Sequence, residues 1–205
     1  MKKLITCLFV ATLAVTVSAD LIISEVTDPS DLYKGRYVQI FNAGSASVDL
    51  AAGNYYLSRQ ANGGSWADVQ LTGTIGARSV YLVGYSSSEF PSYYGFEADQ
   101  YSGSISGNGD DGYFLYSGGD HAAGTLYDAY GVIDEDGTGK AWEYTNTKAT
   151  RVNTVVTPNT TWTASEWTIP ASANVSDMDP ANHNAIPEPA LFGVIALTLL
   201  FFRKK

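Results

Sequence analysis

Two runs decide the fold of this chain, Leu21-Ile22-Ile23-Ser24-Glu25-Val26 and Tyr37-Val38-Gln39-Ile40-Phe41-Asn42. Both are rich in β-branched and aromatic residues, which fit the pleated surface of a sheet. Side chains alternate along a strand, so Val38 and Ile40 share one face of the second run and its other side chains share the opposite face. We expect Val38 and Ile40 to face the core, as in a strand of an antiparallel sheet.

Similar short runs recur along the chain and are separated by Gly, Asn, Asp and Ser. No stretch between residues 20 and 186 has the sustained apolar period of a helix. Short strands separated by turns in this number predict an all-β domain, either a sandwich or a barrel. The further predicted strands are 55–59, 69–71, 79–83, 113–116, 126–132, 142–144, 150–152 and 167–169.

The beginning of the chain has the pattern of an export signal. Met1-Lys2-Lys3 precedes an apolar run over 4–17, and small residues follow it up to Ala19. A basic start, a short apolar stretch and a small-residue site predict a signal peptide over residues 1–19, which signal peptidase cuts between Ala19 and Asp20. The single cysteine of the chain, Cys7, lies inside this segment. The exported protein is therefore expected to fold without disulfides.

The end of the chain has three parts: Pro187-Glu188-Pro189, an apolar run over 190–202, and Arg203-Lys204-Lys205. This layout over residues 187–205 resembles the PEP-CTERM sorting signal of bacteria. The resemblance implies that the apolar run is a membrane helix, with its basic end from Arg203 onward in the cytoplasm. It also implies that an exosortase cuts near the Pro-Glu-Pro motif and that the product is released or attached at the cell surface. A plain membrane anchor that is never processed is the alternative.

The region between the two ends resembles a bacterial lamin-tail domain. The residues that carry the resemblance begin with 21–26 and 36–42, and the order and number of matching segments are its main support. It implies an immunoglobulin-like β-sandwich over 20–170, with 171–186 as a flexible spacer. Gln39 departs from the pattern, because the family usually has Glu there. The later matching segments are 48–51, 55–57, 71–75, 80–83, 108–115, 127–131, 142–144, Arg151, 158–162 and 165–167.

The charge of the chain excludes one class of partner. The 205 residues contain 12 Lys and Arg against 21 Asp and Glu, a formal charge of −9. Seven of the cations and 20 of the acids lie within 20–186, so this region has a charge of −13. A nucleic-acid partner is not expected, because phosphate binding requires a basic surface. The same charge favours solubility and repels anionic polymers.

Two acidic turns are candidates for a calcium site. Asp110 and Asp111 lie in a Gly-rich turn, and Asp134 and Asp136 lie in a second one. Carboxylate oxygens on such turns are ligands that Ca²⁺ accepts. The alternative is that these side chains cap the turns by bonding nearby backbone N–H groups. Neither turn has the calcium-loop signature of an EF-hand.

Aromatic residues in the polar stretch 85–107 offer a second candidate site. This stretch predicts a long loop or an irregular strand pair, and it contains Tyr93, Tyr94, Phe96 and Tyr101. Aromatic rings can stack on the faces of sugars, so these residues could form a glycan platform. The alternative is that they pack against the sandwich or cover its rim.

Candidate catalytic residues are few in this sequence. Within residues 20–186 the only histidines are His121 and His183, and neither is next to an evident nucleophile. We therefore predict no enzymatic activity and no cofactor, and expect an exported structural or adhesive module at the cell surface or in an extracellular polysaccharide matrix. A carbohydrate-binding module is the alternative function. A hydrolase is a third, which requires two close carboxylates in a cleft.

Overall fold

The computed structural model describes residues 20–183, which form twelve strands and one short α-helix. The helix α1 spans Glu89–Tyr94, and single 3-10 turns span Tyr33–Gly35, Ala61–Gly63, Ala164–Glu166 and Val175–Asp177. The strands are β1 (Leu21–Thr27), β2 (Tyr37–Asn42), β3 (Val48–Asp49), β4 (Tyr56–Gln60), β5 (Trp66–Gln70), β6 (Thr74–Ile75), β7 (Val80–Gly84), β8 (Gln100–Tyr101), β9 (Gly112–Ser117), β10 (Thr125–Tyr130), β11 (Lys148–Arg151) and β12 (Trp167–Thr168).

The strands form two main sheets that pack face to face. The six-stranded sheet has the order β12-β11-β1-β2-β7-β8, and the four-stranded sheet has the order β10-β9-β4-β5. Strands β3 and β6 pair separately. All pairings are antiparallel except that of β7 with β8. The prediction of an all-β sandwich is thus confirmed over the described residues.

The core lies between the two sheets. Val38 and Ile40 face it as predicted, and both are fully buried. Leu57 and Leu115, paired across β4 and β9, meet them from the other sheet. Burying a side chain of this size stabilises the fold by roughly 1.5–3 kcal/mol. The burial of Val38 and Ile40 is therefore the energetic reason why apolar side chains occupy the core-facing positions of β2.

The outer face of the six-stranded sheet is also covered. Tyr37, Gln39 and Phe41 point away from the core, yet none is more than 2% exposed. Residues 171–183, which we call the C-terminal strap, lie across them. The strap buries apolar side chains of its own, including Val175 and Met178. The structure therefore differs from the flexible spacer predicted for 171–186, because apolar burial fixes this part of it.

Polar contacts hold the strap in one position. The Val175 N–H donates to Asp31 Oδ1 at 2.8 Å, and the Ala181 N–H donates to Gln39 Oε1 at 2.9 Å. Lys148 Nζ donates to the carbonyl of Asp177 at 2.6 Å. Gln39 thus binds the strap through its amide, at the position where the resembled family has a carboxylate.

Two predicted elements have a different structure. Residues 142–144 form turns instead of a strand, and the buried Trp142 and Tyr144 fill the core from there. The Tyr130 hydroxyl bonds to the Trp142 carbonyl at 2.6 Å and fixes this turn. The stretch 85–107 contains α1 and β8, where a long loop or strand pair was predicted.

A buried ion pair joins the two sheets. Arg151, at the end of β11, donates through Nη1 to both oxygens of Asp128 on β10, at 2.9 and 2.7 Å. Both side chains are fully buried. Asp128 also accepts the N–H of Ile23 at 2.7 Å, beside a bulge in β1. Glu166 binds the other end of the guanidinium. The pair thus supplies hydrogen-bond partners in a region where the strand ladder is irregular.

Candidate functional site at the aromatic pole

Both ends of the described chain lie at one end of the sandwich. Asp20 accepts a hydrogen bond from the N–H of Ala43, which directly follows β2, at 2.8 Å. The ring of His183 packs on Phe41, near the end of β2, with 4.7 Å between the ring centroids. We call this end the terminal pole. The segments that connect to residues 1–19 and 184–205 therefore leave the domain at the same pole.

The opposite end of the sandwich, the aromatic pole, begins at the paired residues Tyr37 and Gly84. The 3-10 turn at Tyr33–Gly35 leads into β2 there, and α1 follows β7 there. The loop after β10 lies at the same pole. Tyr130 pairs with Tyr113, whose hydroxyl accepts the N–H of Gly107, next to the Ser106 carbonyl that Arg36 binds. This pole is thus built from loops of both sheets.

Two arginines connect these loops. Arg36 donates to the carbonyl of Ser106 at 3.1 Å, and Arg59 donates to the carbonyl of Ser104 at 2.9 Å. Arg59 also pairs with Asp111 at 2.7 Å. Both guanidinium groups are mostly buried, so they hold the loops of the pole together and expose little charge to solvent.

The exposed apolar surface of the described residues is concentrated at the aromatic pole. The exposed fractions are 54% for Tyr33, 52% for Tyr93, 41% for Val132, 39% for Phe96 and 38% for Ile133. All five residues lie in the turn before β2, in or just after α1, or in the loop after β10. Tyr33, Tyr93 and Phe96 lie on or beside two elements in contact, the 3-10 turn and α1, whereas Val132 and Ile133 line a different cleft with Phe114 and Trp162. Exposed apolar residues grouped on adjoining elements mark an interaction surface more often than residues scattered singly. The candidate functional site is therefore at this pole.

Helix α1 is held rigidly against the 3-10 turn. Phe90 is fully buried and meets the ring of Tyr37 edge-on, with 6.0 Å between centroids. Tyr94 donates its hydroxyl to the carbonyl of Gly35 at 3.0 Å. Lys34 and Glu89 form an ion pair across the two elements at 3.5 Å. Exposed rings on this frame are thus fixed before any ligand binds.

Of the three tyrosines predicted as a glycan platform, Tyr93 alone is exposed. Tyr94 packs against Tyr37, and burial raises the pKa of its hydroxyl. The hydroxyl of Tyr101 donates to Glu97 at 2.7 Å and accepts the N–H of Ala98 at 3.0 Å. Tyr94 and Tyr101 therefore support the loop, and Tyr93 is the one whose ring faces solvent.

The structure adds Tyr33 and Tyr85, which sequence reasoning did not select. Their rings lie 6.1 Å apart at 56°. The charged ends of Lys34 and Arg36 lie about 6 Å from the Tyr33 ring centroid, within reach of a cation–π contact. Only the pairing of β2 with β7 brings Tyr85 to Tyr33, so no local spacing indicated this pair.

The two acidic turns predicted for calcium both lie at the aromatic pole. Asp111 is buried, bound by Arg59 and by the N–H of Asn62. Asp110 accepts the Thr138 hydroxyl at 3.3 Å, which ties the first turn to the second. The cation that Asp111 binds here is a guanidinium of the protein itself.

The second acidic turn uses its side chains locally. Asp134 accepts from the amide of Gln60 at 2.7 Å, and Asp136 accepts the N–H of Thr138 at 2.9 Å. The Asp136 bond is a capping bond of the alternative interpretation, whereas Asp134 binds a side chain distant in sequence. Across residues 20–183, no three His, Asp or Glu side chains are placed to hold a metal ion. Calcium binding by these turns stays a prediction.

A polar cluster lies under the strap. Glu25 is buried and accepts the Tyr37 hydroxyl at 2.8 Å, with Lys148 at 3.7 Å. Burial raises the pKa of Glu25, against the opposing effects of Lys148 and Tyr37. Glu25 and Lys148 line a cleft of about 190 Å³ together with Asp179 and His183 of the strap. The strap closes one side of this cleft. The protonation of the groups in the cleft therefore affects how stably the strap is bound.

His183 makes strap docking depend on pH. Burial and the charge of Arg151 lower the pKa of His183 from 6.5 to about 4. The folded state then binds fewer protons than the unfolded state, so stability is full above pH 6.5 and decreases as the pH falls towards 4. We expect a loss of about 1–2 kcal/mol between pH 7.5 and 5. Thermal melts of the full chain at both pH values measure it.

The matched control for this prediction is His183→Phe, which keeps an aromatic ring on Phe41 and removes the titration. Its melting temperature should fall less than that of the unmodified chain between pH 7.5 and 5. An equal fall in the two proteins would show that the pH dependence does not come from His183.

His121 also forms a specific contact. Its Nδ1 lies 2.8 Å from Asp68 Oδ1, and its ring stacks on Trp66 at 4.6 Å. Asp68 accepts the hydroxyl of Ser58 at 2.6 Å as well, and these hydrogen bonds lower its pKa against the raising effect of burial. The Ser58 hydroxyl therefore bonds to the carboxylate and not to the imidazole. A serine nucleophile needs the opposite arrangement.

The export signals predicted from the sequence lie mostly outside the described residues. This applies to the signal peptide 1–19 with Ala19, and to the sorting motif with Pro187, Glu188, Pro189 and Arg203. Asp20, the residue after the predicted cut, is the first described one. Within residues 20–183 no helix has the length and hydrophobicity to cross a membrane.

Comparison with known proteins gives no further identification. The sequence matches no model of a protein family. It also matches no curated protein. Fold and site are thus the basis for assigning a function.

Proposed function

We propose that this chain is an exported, non-enzymatic β-sandwich module, displayed at the cell surface or in an extracellular matrix, that binds through its aromatic pole. In this proposal the sandwich is of the immunoglobulin-like, lamin-tail type. Signal peptidase removes residues 1–19, and an exosortase-type enzyme processes the tail from Pro187 onward. The apolar helix of that tail holds the protein in the membrane before processing.

The observation that carries the proposal is that the ends of the described chain and the exposed aromatic residues lie at opposite ends of the domain. Asp20 and His183 both lie at the terminal pole, where the predicted export segments join. The exposed aromatic surface lies at the opposite pole. A module tethered at the terminal pole would therefore present Tyr33 and Tyr93 away from the membrane. The charge of −13 over residues 20–186 supports solubility of the displayed part.

Carbohydrate binding is the second candidate function. It is favoured by the exposed rings of Tyr33 and Tyr93 on a rigid frame, since aromatic faces are suited to stacking on sugars. This function is compatible with the first, because adhesion within a polysaccharide matrix requires such contacts.

Cysteine labelling tests the display of the protein. The chain has no cysteine after residue 19, so one introduced thiol reports on its own position. Ser92→Cys places the thiol on exposed α1 at the aromatic pole, and Ser45→Cys places it in an exposed loop at the terminal pole. In intact cells that export the protein, a membrane-impermeant maleimide should label Ser92→Cys readily and Ser45→Cys more slowly.

The unmodified chain is the control for labelling of Cys7 in unprocessed protein. Mass spectrometry of the labelled protein should show the cut after Ala19 and loss of the tail that includes Arg203. Labelling that requires cell lysis in both variants would contradict display. A mature protein that retains Arg203 would contradict processing by an exosortase.

A further inference from the structure

We propose that the aromatic pole binds a neutral polysaccharide, with Tyr33 and Tyr93 as the stacking residues and Tyr85 supporting the ring of Tyr33. This inference rests on the proposed function and names its ligand class. It moves the sugar site from the loop 93–101 to a surface shared by the turn before β2, the end of β7 and helix α1.

The three rings offer both kinds of contact that a sugar needs. Tyr33 and Tyr93 are more than half exposed, and Tyr85 lies beside Tyr33 at an angle of 56°. Within residues 20–183 the hydroxyls of these three tyrosines form no hydrogen bond. By contrast, those of Tyr94 and Tyr101 are bonded within the protein. The ring of Tyr85 is half-buried against the core, so the exposed rings are those of Tyr33 and Tyr93. Exposed rings and unbonded hydroxyls match a ligand with apolar C–H faces and many hydroxyl groups.

The surface is fixed in advance of binding. Helix α1 and the turn are joined by the Tyr94 hydrogen bond and by the Lys34–Glu89 ion pair. A tyrosine side chain has few rotatable bonds, so ordering it on binding requires little conformational entropy. Pre-organisation of this kind raises affinity because fewer degrees of freedom are lost in the complex.

The charges around the rings select against ionic ligands. Lys34 pairs with Glu89, and Arg36 pairs with Asp28 at 2.6 Å, so the local cations are balanced. The chain as a whole has a formal charge of −9 and repels anionic polymers. The partly exposed Lys34–Glu89 pair lies on the same two elements as the exposed rings. Charged groups in this position disfavour a lipid or an apolar protein partner, which would require a continuous apolar patch. A neutral, repeating, hydroxyl-rich polymer fits separated rings.

Affinity electrophoresis with soluble polysaccharides tests the proposal. The full chain in mild non-ionic detergent is run through native gels containing hydroxyethylcellulose, dextran or alginate. We expect at least one of the two neutral polymers to retard the chain, and alginate, which is anionic, to have no such effect. Tyr33→Ala and Tyr93→Ala should each weaken binding about tenfold, the size typical for loss of one stacking aromatic.

Two matched variants separate stacking from other effects. Tyr33→Phe keeps the ring and should retain most of the binding. Ser45→Ala changes an exposed side chain at the terminal pole, outside the proposed site, and should bind as the unmodified chain does. Melting temperatures of all variants should be alike, since the exposed rings add little to the core.

Several results would overturn the inference. One is the absence of retardation by either neutral polymer, and another is equal retardation by alginate. A third is self-association in sedimentation experiments that Tyr33→Ala abolishes, without any retardation, which would make a second copy the partner. If Ser92→Cys is labelled on intact cells and no polymer retards the chain, the ligand class is wrong and the proposed display stands.

Discussion

Replacing Arg151 with methionine is expected to lower the free energy of unfolding by about 3–5 kcal/mol, because it leaves a buried carboxylate without its cation. Asp128 would keep the N–H groups of Ile23 and Asn159, at 2.7 Å each, but lose both bonds from the guanidinium. Glu166 would lose its cationic partner as well and keep only the amide of Asn159. Denaturant unfolding of the full chain measures the change, with the midpoint and slope analysed together.

Two comparisons make this prediction specific. Lys140→Met removes one partner of the exposed Lys140–Glu135 pair and should change stability far less than Arg151→Met does, since water screens an exposed pair. Adding Asp128→Asn to Arg151→Met removes the stranded charge and should recover part of the loss. The buried pair would not be a main support of the sandwich if Arg151→Met and Lys140→Met had equal effects.

Gly109→Ala is expected to destabilise the protein by about 3 kcal/mol or more, since two effects combine at this position. Its φ of +101° lies in the region that residues with a Cβ rarely adopt. A Cβ there would also lie 2.2 Å from the Cα of Thr145, which is backbone and cannot turn aside. The carbonyl of Gly109 accepts the Tyr144 N–H at 2.7 Å, so a shift would disturb the core.

Gly139→Ala is the matched control for the clash. Gly139 also has a positive φ, +72°, but a Cβ there would meet no atom within 4 Å. Only the conformational strain remains, about 1 kcal/mol. Thermal melts of the two variants should therefore differ clearly, with Gly109→Ala much the lower. Equal melting temperatures would show that the turn at Gly109 moves freely away from Thr145.

The fold could be predicted largely from local patterns. The alternation in β2 places Val38 and Ile40 in the core, as the structure confirms. Predictions were wrong where packing, and not pattern, decides the structure. Trp142 and Tyr144 look like strand residues, yet they fill the core from turns fixed by Tyr130. Aromatic composition alone does not distinguish these two situations.

The candidate site was predictable only in part. Of the three tyrosines predicted as a glycan platform, Tyr93 is exposed, whereas Tyr94 and Tyr101 carry the same side chain and differ only in what surrounds them. Tyr33 and Tyr85 come together through the pairing of β2 with β7. Contacts between residues so distant in sequence leave no periodic signal, because periodicity reports only on the element itself.

The sequence by itself was enough to predict an acidic all-β domain. The export segments at both ends of the chain are predictions from sequence pattern alone. Strand alternation, turn residues and charge are local properties, so they can be read directly from the sequence. Only the tertiary structure decided that Asp20 and His183 share one pole, that the strap covers Gln39, and that the exposed tyrosines face the other way. These relations follow from strand order and register, which are set by the burial of apolar surface across the whole domain.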